Sequence, residues 1–225
     1  MKRSVVIVAG GSGTRMGSAM PKQFLPLAGR PILMRTIDVF RAFDAQMQIV
    51  LVLPQTQHQL WNSLCSQYGF TANVEVVSGG ETRFHSVKNG LSKVQSGGLV
   101  AVHDGVRPLV SVQTLERCFV EAEKIGAVVP VVPINESIRH RNLENGANNL
   151  VNRDEYVIVQ TPQVFHTNLL QSAFEQPYQT SFTDDASVVE SFGHAITLVD
   201  GNFENIKITR PVDMVVAESI IANSK

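Results

Sequence analysis

VVIVAGGSGTRMGSAMPK, residues 5–22, runs from an apolar strand into a glycine-rich turn that holds Arg15 and Lys22. Gly10, Gly11 and Gly13 remove side chains where the backbone has to bend sharply and turn N–H groups toward an anion. The two cations stand where charge on phosphate oxygens needs neutralising. The stretch therefore predicts a polyphosphate-binding loop after the first strand. It is not a Walker loop, because Gly17 is followed by Ser18 and Ala19, and the nearest lysine, Lys22, sits behind Pro21. Nor is it a dinucleotide fingerprint. Met16 takes the place of the last glycine, and the second apolar run closes on Leu53, Pro54 and Gln55 without the acid that would hold a ribose. The bland alternative is a plain glycine-rich turn of an α/β protein, against which Arg15 and the Pro21-Lys22 pair argue.

Outward from this loop, short and nearly continuous apolar runs recur at Val5–Ala9, Ile49–Leu53, Leu99–His103, Ala127–Val132, Val157–Val159 and Ile196–Val199. Such runs suit strands buried on both faces. Between them, apolar residues three or four apart predict amphipathic helices: Leu33, Ile37 and Phe40; Leu60, Leu64 and Tyr68; Phe84, Val87, Leu91 and Val94; Leu115, Cys118, Ala122 and Ile125. Pro211 predicts the first turn of a last helix with Val215 and Ile221 on its core side. Alternating strands and helices predict an α/β, Rossmann-like and mostly parallel sheet with helices on both faces.

Composition narrows the function classes. A chain of 225 residues, 44% hydrophobic, supports one substantial core, so residues 1–225 are read as one domain. The net charge of −1, without a long run of like charge, offers no footprint for nucleic acid or an anionic membrane. Val5–Ala9 is too short for a signal segment or a membrane span, which predicts a cytoplasmic protein. Cys65 and Cys118 suggest neither a disulfide framework nor zinc. The six histidines lack metal-ligand spacing, and no Ser/His/Asp pattern or nucleophile elbow occurs, so hydrolase and zinc readings have no support.

In parallel sheets ligands gather beyond the carboxyl ends of the strands. His103-Asp104-Gly105-Val106-Arg107-Pro108 puts there an aspartate suited to Mg²⁺ or a substrate hydroxyl and an arginine suited to phosphate. The alternative is an Asp-Gly turn with a surface arginine. Ser78-Gly79-Gly80-Glu81-Thr82-Arg83-Phe84-His85-Ser86 offers open backbone and a hydroxyl to a nucleobase. Its alternative is a strand-to-helix turn capped by Ser78, with Glu81 in the first helical turn. Near the C-terminus, Lys207 is either a third cation for phosphate or a solvated lysine.

Taken in order, AGGSGTRM with PKQFL, GGETRFHSV, HDGVRP, TPQVF, TDDAS and NIKITRP-x-D resemble the 2-C-methyl-D-erythritol 4-phosphate cytidylyltransferase family over nearly the whole chain. The resemblance implies transfer of a cytidylyl group from CTP to that polyol phosphate, with Mg²⁺ and release of pyrophosphate, in non-mevalonate isoprenoid synthesis. It implies that Arg15, Lys22 and Lys207 are catalytic. Ala9, Gly10, Gly11, Gly13, Gly80, Glu81 and Ser86 would surround the nucleotide, and Asp104, Arg107, Arg153, Thr183 and Glu204 the substrate. Asp104 would also lie beside a metal held mainly by phosphate. Residues 133–153 would form a projecting arm exchanged in a homodimer, carrying Arg153 into the partner's site; without the family, they read as a long surface excursion or hairpin. The family often has aspartate at the positions of Glu81 and Glu204 and alanine at that of Gly105, where glycine is expected to loosen the turn that aims Asp104. The rival readings are a ribitol 5-phosphate cytidylyltransferase and a CTP-binding module without catalysis.

Overall fold

The computed structural model describes residues 1–10 and 20–223. In chain order come β1 (Arg3–Val8), the short hairpin β2 (Pro26–Leu27) and β3 (Arg30–Pro31), α1 (Ile32–Phe43), β4 (Gln48–Leu53), α2 (His58–Tyr68), β5 (Glu75–Ser78) and α3 (Arg83–Leu91). There follow β6 (Leu99–Asp104), α4 (Val112–Ile125), β7 (Ala127–Pro133), the hairpin β8 (Arg139–Arg141) and β9 (Asn148–Leu150), β10 (Val157–Val159) and β11 (Gln163–His166). The chain then forms α5 (Thr167–Ala173), α6 (Asp185–Ser191), β12 (Thr197–Asp200) and α7 (Pro211–Asn223).

Eight of these strands make one sheet. β5, β4, β1 and β6 lie side by side and parallel, and β11 follows antiparallel to β6. β7 takes β10 and β11 antiparallel along one edge and β12 parallel along the other. Period-two alternation explains why runs such as Val5–Val8 are apolar throughout: Val5 and Ile7 face one side, Val6 the other. Val5, Ile7, Leu51 and Ala101 pack with Ile37 and Phe40 of α1, Trp61 of α2 and Phe119 of α4. Val6, Val50, Val52 and Val102 pack with Phe84 and Val87 of α3, Leu170 of α5 and Val188 of α6. Helices thus cover both faces, as the alternation of elements predicts.

Four expectations are corrected. Val157, Ile158 and Val159 are 42%, 48% and 42% exposed, because β10 pairs with the far end of β7, where neither helical layer reaches; β12 is likewise partly exposed, with Leu198 open to solvent. Two residues expected on helix core sides are exposed, Ile125 at the end of α4 and Val215 of α7, and in α7 it is Ala217, with Met214 and Ile221 beside it, that packs on Leu27, Ile32 and Ile208. The cap of α3 is Thr82, whose hydroxyl accepts the His85 N–H; Ser78 ends β5, and Glu81 precedes the helix rather than joining its first turn. Gly105 does not loosen its turn: its N–H donates to the Val8 carbonyl, its carbonyl accepts from Thr36 Oγ1, and a Cβ there would stand 2.8 Å from the Ala9 Cβ.

The stretch read as an arm contains the β8–β9 hairpin, stitched by the Arg139↔Leu150, His140↔Asn149 and Arg141↔Asn148 pairs. Leu143 and Leu150 on it are 89% and 69% exposed. Among the described residues no helix is long and apolar enough to cross a membrane.

Candidate active site

The carboxyl ends of β1 and β6 open on a cavity of about 500 Å³. Ala9 and Gly10 form one wall, continuing from β1. The Ala9 N–H donates to Val52 O, and its carbonyl accepts from Gln23 Nε2 at 2.8 Å, so the strand's exit is held on both sides. Gly80, Glu81, Thr82 and Ser86 form the opposite wall. Ser86 Oγ, one turn into α3, accepts the Gly80 N–H at 3.1 Å and folds the glycine back over the helix start. A Cβ on Gly80 would stand 2.5 Å from that of His85, so only glycine fits this close approach.

The cationic side is built from distant segments. Lys22 Nζ donates to Ile208 O at 3.2 Å, which brings the loop lysine against the segment just before α7. Lys207 Nζ lies 3.0 Å from Asp104 Oδ2, and both lysines line the cavity. Asp104 ends β6 and receives Arg107 Nε on the same oxygen at 3.2 Å. Burial works against its charge, but Lys207, Arg83 and Arg107 hold its carboxyl well below the usual carboxylate range. The carboxylate therefore stays ionised, and as an already paired anion it is ill suited to accept a proton in catalysis.

Behind Asp104, His103 is wholly buried. Its Nε2 lies 3.0 Å from Arg107 O, so that nitrogen carries the proton and donates. Nδ1 then accepts from Thr161 Oγ1 at 3.1 Å, while the same oxygen accepts the Asp104 N–H at 3.1 Å. Burial lowers the His103 pKa to about 4, against the Arg107 carbonyl that favours its charge. The imidazole is a neutral bracket for Asp104.

Of the residues expected from sequence, Ala9, Gly10, Lys22, Gly80, Glu81, Ser86, Asp104 and Lys207 meet at this cavity. Gly11, Gly13 and Arg15 lie outside the described residues. Arg107 is turned inward, with Nη1 on Asn205 O at 2.7 Å, and does not line the cavity. Glu204 is exposed and accepts from Asn202 Nδ2, and Thr183 N–H donates to Ser187 Oγ; neither lines it. Arg153 sits at the base of the arm, hydrogen-bonded to Asn135 O, likewise apart from the cavity.

Sequence reading passed over Gln23 and Arg83, both on the cavity wall. Gln23 is fully buried and spends its amide N–H groups on Ala9 O and Gln57 Oε1. It follows Lys22 directly and could have been singled out there. Arg83 makes a bidentate pair with Asp185, Nη1 to Oδ1 at 2.9 Å and Nη2 to Oδ2 at 2.6 Å. Burial pushes the Asp185 carboxyl above its ordinary range, and Arg83 offsets only part of that rise. No local signal links positions 102 residues apart.

Comparison with known proteins gives concordant matches. The family model described as 2-C-methyl-D-erythritol 4-phosphate cytidylyltransferase matches residues 4–223. A protein of that name from Bacteroides thetaiotaomicron is 52% identical over 221 residues, covering 98% of this chain and all of the relative. The crystal structure of 2-C-methyl-D-erythritol 4-phosphate cytidylyltransferase from Thermus thermophilus superposes with a TM-score of 0.80 at 32% identity, covering 99% of this chain and 100% of that one. 4-Diphosphocytidyl-2C-methyl-D-erythritol synthase from Anaerococcus prevotii gives 0.83 at 26% identity, with 99% of both chains covered.

Proposed function

The chain belongs to the 2-C-methyl-D-erythritol 4-phosphate cytidylyltransferase family, and on that premise we propose that its cavity joins CTP to 2-C-methyl-D-erythritol 4-phosphate. The products are 4-diphosphocytidyl-2-C-methyl-D-erythritol and pyrophosphate. The observation that carries the reading is the meeting of a glycine-rich, backbone-lined wall with Lys22, Lys207 and Asp104 in one cavity.

An oxygen of the substrate phosphate attacks the α-phosphorus of CTP. A new O–P bond forms as the bond to the β-phosphate oxygen breaks, and pyrophosphate departs with that electron pair. A phosphomonoester has a second pKa of about 6, so at neutral pH the nucleophile is already a dianion and needs no base. That suits a site whose Asp104 is paired and whose His103 is buried and neutral. What remains is to align two polyanions and offset their repulsion, the work of Lys22 and Lys207 and, from the loop, Arg15. Ala9, Gly10, Gly80, Glu81 and Ser86 surround the cytidine.

Among the described residues no group of three or more His, Cys, Asp or Glu could hold a metal by itself. The single ionised Asp104 fits Mg²⁺ instead, which takes one or two carboxylates and completes its shell with phosphate oxygens and water. Asp104 would hold it, and the ion would share the negative charge of the phosphates.

The homodimer is part of the same reading. The exposed Leu143, Leu150 and Ile158 want a cover, and Arg153 does not line its own chain's cavity. Exchange of arms would bury the first and deliver the second to the partner's substrate phosphate, with Thr183 nearby; Arg107 and Glu204 would act indirectly, through Asp104 and Asn202. A cytoplasmic location belongs to the same proposal.

The test is pyrophosphate release from CTP and Mg²⁺ with 2-C-methyl-D-erythritol 4-phosphate and ribitol 5-phosphate supplied in parallel. Preference for the first is expected. Preference for the second would reassign the acceptor, and CTP binding without release from either would reduce the protein to a binding module.

A further inference from the structure

Arg83 opens α3 on the cavity wall, directly after the segment Gly80–Thr82 that the reading above gives to cytidine. Asp185 opens α6, beside Asp184 and Thr183, and is completely buried. The planar guanidinium engages both carboxylate oxygens, a geometry that fixes orientation as well as distance. Around it the two segments are joined again. Phe84 stacks on Phe182 at 5.6 Å and on Phe174 at 4.8 Å, and the His85 ring lies 5.4 Å from that of Tyr178. Gln163 of β11 then pins the start of α6, donating to Asp184 Oδ2 at 2.7 Å and accepting the Ala186 N–H at 2.9 Å.

We propose that the Arg83–Asp185 pair is a strut joining the nucleotide wall of the cavity to the Thr183–Ser187 segment, with Asp185 a positioning residue for both substrates. The inference rests on the proposed cytidylyl transfer for its substrates, and on geometry alone for the strut. Without the carboxylate charge, a guanidinium facing a buried amide is left uncompensated and turns toward the cavity, releasing both segments at once.

Asp185→Asn in the full chain keeps shape and removes charge. KM for CTP and KM for 2-C-methyl-D-erythritol 4-phosphate are each expected to rise about tenfold, with kcat changed by less than about threefold, the pattern of binding lost equally from the ground and transition states. Glu175→Gln, which opens the exposed Lys88–Glu175 pair made by the same helix α3, should leave both at wild-type values. Hydrogen exchange without ligand should quicken in residues 79–86 and 183–187 together. Arg83→Lys, which keeps the charge but loses the fork, should show the same double effect, and it replaces Asp185→Asn should that variant not fold. A lowered Tm with both KM values within about twofold of wild type, or faster exchange in only one segment, would overturn the strut. A wild-type protein that releases no pyrophosphate would refute the transfer reaction instead, and the exchange measurement would still decide the strut.

Discussion

Lowering the pH from 7 to 4 should cost this protein about 3 kcal/mol of stability through His103 alone. In the unfolded chain its imidazole titrates near 6.5, whereas burial in the folded protein lowers the pKa to about 4. A histidine whose folded pKa is depressed stabilises the fold fully above the unfolded value. That contribution is lost as pH falls from about 6.5 to about 4, because the unfolded chain takes up a proton that the folded one refuses. A gap of about 2.5 units at 1.36 kcal/mol each sets an upper bound of roughly 3.4 kcal/mol, and about 3 is realised by pH 4. Protonation would also turn Nδ1 from acceptor into donor and leave the Thr161 hydroxyl proton without the acceptor it now has. Urea unfolding of wild type and His103→Gln at pH 7, 6, 5 and 4 isolates the effect: the variant should be weaker at pH 7 but lose less on acidification. NMR should show the His103 ring unprotonated down to about pH 5. Equal pH slopes for the two proteins, or a His103 ring titrating near 6.5, would refute the argument.

Lys22→Ala should cost about 3 kcal/mol of transition-state stabilisation, comparable to losing a preorganised oxyanion donor, and Arg15→Ala the same; a fall in kcat/KM of less than about tenfold would remove these residues from the mechanism. Gly105→Ala places its Cβ 2.8 Å from that of Ala9 and 3.1 Å from Leu33 Cδ1, so a loss of about 1–3 kcal/mol is expected in denaturant titration; an unchanged midpoint would show that α1 yields easily. Mixing inactive Arg153→Ala with inactive Lys22→Ala subunits should restore partial activity in mixed dimers, since one hybrid site is intact. No recovery after subunit exchange would place Arg153 in its own chain's chemistry or outside it.

The nearly continuous apolar runs announced β1, β4, β6 and β7 because those strands are covered on both sides, and their shared ends located the cavity. The same criterion overreached at Val157–Val159, where apolar residues face solvent on the arm side. It was silent on β5 and β11, four-residue strands of mixed polarity. Lys22, Gly80, Ser86 and Asp104 were legible since each sits in a motif with its own chemistry. Arg83 and Asp185 were not, because neither means much until the fold sets them side by side. Gln23 stands beside Lys22 in the same motif and was open to reading there, though its partner, the Ala9 carbonyl, shows only in the fold.

Lys22 reaches Ile208 and Lys207 reaches Asp104, so the cationic side is closed by a segment synthesised long after the strands that frame it. Contacts of such sequence separation carry the greatest loop-closure cost and form late. A growing chain that has already paired β1, β4 and β6 would still lack Lys207, and Asp104 would have only Arg83 and Arg107 to offset its charge. The cavity therefore gains both its lysine contacts, Lys22 on Ile208 and Lys207 on Asp104, only when the segment just ahead of the last helix has emerged.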